Sequence, residues 1–297
     1  VQTSSSIDSH HIKQLSKDLP GGFEGVGSNN WVVSGDKTVS GKPLLANDPH
    51  LSLTAPAVWY MAHIETPAFK VIGATTPGIP SIVIGRSNQI AWGFTNTDPD
   101  VQDLYIEALD EKNPGRYQTP SGYANFVLRE ETIAVKGKPP VRFIARETRH
   151  GPVISDAYER AQNLIDTSRF AISMRWTALD TANQTIVAGF QMNQAQSMDQ
   201  FKEAIKHYYA PMQNIVMADT EGQIAYRAIG AVPKRSKGQG LFGSAPGLGW
   251  DKQYDWNSYL SLDSLPKENN PSRGWIATAN QRVHAANDPN PLTADWH

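Results

Sequence analysis

From residue 31 onward the hydrophobic pattern breaks into short runs, most of them too brief for helices. Trp31-Val32-Val33, Leu44-Leu45-Ala46, Val58 to Ile64, Val71 to Thr75, Ile82-Val83-Ile84 and Ile90 to Thr95 each read as a strand. Turn-forming stretches such as Ser40-Gly41-Lys42-Pro43 and Pro77-Gly78-Ile79-Pro80 separate them. Where consecutive positions are apolar, both faces of a strand need cover, so layers are expected on both sides of a sheet. Further strands are expected at Leu104–Ile106, in a hairpin of Thr132–Val135 with Val141–Glu147, and in a pair, Ile215–Asp219 and Ile224–Tyr226, joined at Glu221-Gly222. Gly274 to Ala279 reads as a last strand, residues 110–125 as an exposed excursion and 234–258 as loop. One helix is clear, Met198 to Tyr209: Met198, Phe201, Ile205 and Tyr208 share a face, and Ser197 followed by Gln200 makes a capping-box pattern. Residues 1–27 read as a short helix or disordered segment and a flexible lead-in ending near Pro20-Gly21-Gly22.

Composition sharpens this picture by exclusion. The chain has 297 residues, enough for a sizeable core in one large or two ordinary domains. Its 23 glycines and 20 prolines, against 19% charged residues, favour strands and tight turns over long helices. A net charge of −2 with scattered basic residues gives no footprint for nucleic acid or an anionic membrane. No apolar run approaches the roughly 18–20 residues of a membrane-spanning helix. Without cysteine there are no disulfides, no thiol catalysis and no cysteine-bound zinc. The adjacent His10 and His11 do not share a helix face and read as a solvated pair. Neither end reads as a natural terminus, so a fragment of a longer chain is expected.

The candidate chemistry starts at Ser28, between Gly27 and Asn29-Asn30-Trp31. A serine hydroxyl is a weak nucleophile until a base takes its proton. One economical base is the serine's own α-amine, which exists only if the Gly27–Ser28 bond is cut; its ordinary pKa of about 7.7–8.0 suits a general base near neutrality. Taken alone, the Gly-Ser pair means little and reads as a turn before a strand.

Several stretches together change that. Gly27-Ser28-Asn29-Asn30-Trp31-Val32-Val33, Leu44-Leu45-Ala46-Asn47-Asp48-Pro49-His50-Leu51, Pro77-Gly78-Ile79-Pro80, Gly85 with Asn88, and Ile90-Ala91-Trp92-Gly93-Phe94-Thr95-Asn96 come first. His150-Gly151-Pro152-Val153, Arg175-Trp176-Thr177-Ala178, Pro211-Met212-Gln213-Asn214, Asn270-Pro271 and Ile276-Ala277-Thr278-Ala279-Asn280 follow. In order and spacing they resemble the β-chain of the penicillin acylase family of N-terminal-nucleophile amidohydrolases. The resemblance implies an α+β, four-layer αββα fold, β-rich and incomplete in this chain. Residues 1–27 would be a linker or the end of a propeptide or α-chain, and 28–297 the N-terminal part of the catalytic β-chain.

The same resemblance implies an acylase that cleaves the acyl side chain of a β-lactam, an N-acyl-homoserine lactone or a similar N-acyl amine through an acyl-enzyme. Ser28 would be the nucleophile, freed by autocatalytic cleavage after Gly27, with the α-chain of the same precursor as its partner. The Asn280 side-chain amide and the Asn96 backbone N–H would hold the oxyanion, and His50 would orient the serine and its amine by hydrogen bonding. A histidine at that position resembles the cephalosporin and homoserine-lactone acylases more than the penicillin G branch. Asp100, the Gln102 carbonyl, Asp103 and Asp295 fall where family members bind a structural Ca²⁺, an ion suited to hard oxygen ligands. A periplasmic or secreted protein is expected on the same grounds. The rival expectation is a catalytically inactive fragment or a non-catalytic β-rich binding module on the same scaffold.

Overall fold

The computed structural model describes residues 27–51, 54–236, 243–285, 288 and 291–293. Of the lead-in expected over 1–27, residues 1–26, including His10 and His11, lie outside the described residues, as does Asp295. The described chain divides into two units: one takes Asp100–Leu179 with Pro233–Ser258, and the other takes the rest.

The larger unit is built on a seven-stranded antiparallel sheet. From edge to edge its strands are Lys267–Asn269, Ile224–Ile229, Gln213–Asp219, Ile90–Asn96, Ile84–Ser87, Lys70–Thr75 and Tyr60–Glu65. The Gln213–Asp219 strand shows why consecutive apolar positions were needed. Ile215 and Met217 enter one core with Trp92, Phe94, Met198, Phe201 and Ile205; Val216 and Ala218 enter another with Val32, Ile224, Ala228 and Ile276. The first core is covered by the helices Thr185–Gln194 and Met198–Ala204. The second is covered by a three-stranded sheet with Ser28–Val33 at its centre, flanked by Leu44–Pro49 and Trp275–Thr278. The order is helix, sheet, sheet, which supplies three of the four expected layers. A second helical layer is not represented among the described residues.

The expected helix starts as read: the Ser197 hydroxyl accepts the Gln200 N–H at 3.3 Å, and the Gln200 side chain reaches back to the Gln196 N–H at 2.9 Å. Its α-helical part stops at Ala204, and a 3₁₀ turn, Ile205–His207, delivers Tyr208 in extended conformation. The second helix, Thr185–Gln194, was not expected. It buries Ala188, Met192 and Asn193, while Ile186, Val187 and Phe190 are exposed, so its apolar spacing pointed to the wrong face.

In the smaller unit the order Phe170–Trp176, Gln102–Asp110, Asn113–Thr119, Gly122–Asn125 makes an antiparallel sheet, with Gly247–Leu248 alongside Gln102–Asp110 in parallel. The supposed excursion at 110–125 is therefore a hairpin of that sheet. Pro114 is tolerated because the register shifts at Leu109/Asp110, leaving only Leu109–Tyr117 and Asp110–Asn113 paired. The expected hairpin forms with its first strand displaced: Val127–Ile133, rather than Thr132–Val135, pairs with Val141–Thr148, because residues 134–140 make the connecting loop. The 234–258 stretch holds three short strands, Pro233–Arg235, Gly247–Leu248 and Trp256–Tyr259.

Candidate active site

Ser28 opens the central strand of the three-stranded sheet, where pairing with Pro49 on one side and Asn30 with Thr278 on the other fixes its neighbourhood. Two donors remote in sequence converge on its hydroxyl. The Asn96 backbone N–H, at the end of the Ile90–Asn96 strand, reaches Ser28 Oγ at 3.3 Å, and Asn280 Nδ2 reaches it at 3.4 Å. Asn280 adopts φ +63°, a left-handed conformation that asparagine tolerates and that turns the chain as the Trp275–Thr278 strand ends. Its Oδ1 accepts the Ser28 N–H at 2.6 Å, and its Nδ2 also donates to the Asn96 carbonyl at 2.7 Å.

The peptide bond before Ser28 is held at both polar ends. Its N–H goes to Asn280, and its carbonyl, that of Gly27, accepts the His50 backbone N–H at 2.9 Å. A side chain on residue 27 would start 3.2 Å from Asn280 Oδ1, so glycine gives this peptide the room it has. His50 thus meets this peptide through its main chain. Its ring turns to Asp48, with Nε2 3.2 Å from Oδ2, and lies 3.5 Å from Asn29 Nδ2, rather than bonding the serine or its amine as expected.

Beneath the serine lies a buried polar network. Tyr226 Oη donates to Asn214 Oδ1 at 2.8 Å; Asn214 Nδ2 donates to the Asn96 carbonyl at 3.3 Å and to Thr95 Oγ1 at 3.2 Å. Thr95 and Thr278 hydroxyls meet at 2.5 Å, and Thr278 donates to Asn30 Oδ1 at 2.6 Å. Burial pushes the Tyr226 phenol up, so it stays a donor. Asn47 fastens the two sheets: its Oδ1 accepts Phe94 N–H at 2.7 Å, and its Nδ2 donates to the Phe94 carbonyl at 2.9 Å and the Asn29 carbonyl at 3.2 Å. Asn47 and Asn214 sit inside the motifs quoted above, yet nothing in their spacing marks an asparagine that holds a strand in place. Buried amides need partners, and these have them.

In the smaller unit, His150 of the His-Gly-Pro-Val motif is a buried structural residue. Its Nδ1 lies 2.8 Å from Glu107 Oε1, its Nε2 lies 3.1 Å from Asp255 Oδ1, and its ring stacks on Tyr105 with centroids 3.6 Å apart. Burial alone would raise the Glu107 carboxyl, but bonds from His150, Ser173 and Thr148 hold it below the usual range.

Of the residues expected to hold calcium, Asp103 has both carboxylate oxygens engaged by other donors. Asp103 is buried and accepts Arg235 Nε at 2.9 Å and Trp256 Nε1 at 2.6 Å on one oxygen, and Arg235 Nη2 at 2.5 Å on the other. Among the described residues no cluster of three or more histidine or acidic side chains has a metal-binding arrangement.

The chain matches the family model for penicillin amidase over residues 2–297. It is 34% identical over 275 residues to an acyl-homoserine lactone acylase, QuiP, of Pseudomonas aeruginosa, covering 91% of this chain and 32% of the relative. It is 30% identical to a penicillin acylase 2 proenzyme of a Pseudomonas species, covering 92% and 34% respectively. Among solved structures it is similar to a thermostable penicillin G acylase from Alcaligenes faecalis, with TM-score 0.76, 26% identity and coverage of 91% of this chain and 46% of that one. The chain spans about a third of the length of the curated relatives it matches.

Proposed function

The chain belongs to the penicillin amidase family, and on that premise we propose that its protein is an acylase that hydrolyses a side-chain amide through an acyl-enzyme on Ser28. What carries the reading is the convergence of the Asn96 N–H and Asn280 Nδ2 on one serine hydroxyl whose preceding peptide is held at both ends.

Self-cleavage comes first. Ser28 Oγ attacks the Gly27 carbonyl carbon, and the His50 N–H bonds the oxygen on which negative charge develops. A C–O bond forms, the C–N bond breaks, and the hydroxyl proton passes to the departing nitrogen. Water then hydrolyses the ester, leaving a Gly27 carboxylate and a Ser28 amine.

Turnover uses the same hydroxyl with a different base. The free amine, directly or through one water, takes the Ser28 proton as Oγ attacks the substrate amide. The Asn96 N–H and the Asn280 amide stabilise the tetrahedral oxyanion, the amine product leaves with a proton, and water releases the acid. Removing one such donor typically costs about 2.7–4 kcal/mol of transition-state stabilisation. The names of the relatives point to N-acyl-homoserine lactones and penicillins as the substrate classes to try.

Mass analysis of the full-length protein tests the scheme: a chain beginning at Ser28 is expected, and Ser28→Ala is expected to abolish both cleavage and turnover. An uncut protein with full activity would overturn it. Hydrolysis of phenylacetyl, glutaryl and long-chain acyl amides, compared side by side, assigns the acyl class.

A further inference from the structure

We propose that the Arg235 guanidinium serves as a built-in cation at the Asp100–Asp103 turn, so that this part of the fold needs no calcium. The observation is an Asp103 carboxylate with both oxygens already taken. Arg235 meets both Asp103 oxygens, and its Nη2 also donates to the Asp100 carbonyl at 2.8 Å. One planar group thereby holds a carboxylate and a main-chain oxygen at once, oxygens of the kind a Ca²⁺ ion would coordinate. Both partners are buried, with side chains only 6% and 5% exposed, so the pair is not a surface ion pair loosened by water.

The surroundings are built for a cation of this shape. Trp256 donates its indole N–H to Asp103 and lies 5.7 Å from the Arg235 guanidinium, while Arg175 lies 4.8 Å from the same ring. Gly243, at φ +88°, passes over the pair; a Cβ there would fall inside contact distance of the Asp103 carboxylate and 2.9 Å from Arg235 Nη2. A calcium ion would have to displace three N–H donors from one carboxylate and then sit beside two guanidinium charges. Like charges at this range in a partly buried setting repel strongly, so the arginine and the ion exclude one another.

The test uses the full-length protein, dialysed against EDTA and then measured with EDTA or with millimolar CaCl₂. The wild-type thermal midpoint is expected to be the same in both. Arg235→Gln, which leaves a buried carboxylate without its cation, is expected to lower the midpoint by about 10 °C. Should that variant fail to fold, Arg235→Lys keeps the charge but not the planar fork, and a smaller drop is expected. The proposal is overturned if EDTA lowers the wild-type midpoint, CaCl₂ restores it, and Asp103→Asn removes that response. It is equally overturned if Arg235→Gln melts with the wild type. None of these readouts depends on acylase activity.

Discussion

Asn280 grips Ser28 twice with one side chain: its oxygen takes the backbone N–H at 2.6 Å and its nitrogen reaches the hydroxyl at 3.4 Å. Under the proposed scheme the same amide therefore contacts both the bond that is cut and the atom that attacks it. Asn280→Ala is expected to lower kcat of the cleaved enzyme about 10²–10³-fold, the cost of losing one oxyanion donor. Alanine at φ +63° adds a strain of about 1–2 kcal/mol. Steady-state kinetics on cleaved protein, with a melting curve as control, checks both effects.

Gly27 should matter before cleavage and not after it. With a Cβ only 3.2 Å from Asn280 Oδ1, a branched side chain at residue 27 pushes Asn280 away from the Ser28 N–H. Gly27→Val is expected to slow self-cleavage on the order of tenfold, the kinetic equivalent of about 1.4 kcal/mol. The cleaved enzyme should turn over at the wild-type rate. A time course of intact mass, followed by kinetics on the product, reads the two separately.

Asn214 touches no reacting atom, yet it steadies the Asn96 carbonyl whose own N–H faces Ser28. Asn214→Ala leaves the buried Tyr226 Oη without its acceptor, at about 1–3 kcal/mol for an unsatisfied group, and leaves the Asn96 carbonyl held by Asn280 alone of the two side chains. The midpoint should fall, and kcat should fall several-fold with KM little changed. An equal fall in stability with kcat intact would make Asn214 purely structural.

Acid should destabilise the smaller unit. Glu107 and Asp255 are both held below their ordinary values of 4.5 and 3.8: burial opposes this, but Glu107 is bonded by His150, Ser173 and Thr148, and Asp255 by Arg149 and His150. Depressed carboxyls contribute stability that is present above their unfolded pKa and lost as pH falls through the folded value. The midpoint should be flat with respect to these two groups from pH 7 to about 5 and decline below about 4. Glu107→Gln, which keeps an acceptor for Ser173 and Thr148 but no titration, should flatten that acid limb. Thermal melts across a pH series check the sign.

Much of the larger unit was legible because its strands alternate between two cores. Ile215 and Met217 point one way, Val216 and Ala218 the other, and nothing but a covered sheet accounts for such a run. The Met198 helix announced itself by Ser197 and Gln200. The Thr185–Gln194 helix did not, because its anchor is polar: Asn193 is buried and exchanges two hydrogen bonds with the Ile82 backbone, at 2.7 and 2.9 Å. A period count takes such a residue for a surface position. That Asn96 and Asn280 meet at Ser28 was legible through the family's motifs, whereas the contact from the His50 main chain was not, since a backbone N–H leaves no trace in residue identity. The partner of Asp103 was out of reach for a related reason: Arg235, which pairs with its carboxylate, lies 132 positions along the chain, beyond any local pattern.

The hold on the Gly27–Ser28 peptide also sets the order of the kinetics. Every group that grips that bond belongs to the same chain as the serine that is to break it, so under the proposed scheme maturation is unimolecular. Its half-time should not change on dilution, and mixing with already mature enzyme should not hasten it. Under the same scheme the amine that serves as base in turnover does not exist until this bond breaks, so the first bond the serine cuts sets when any other can be cut.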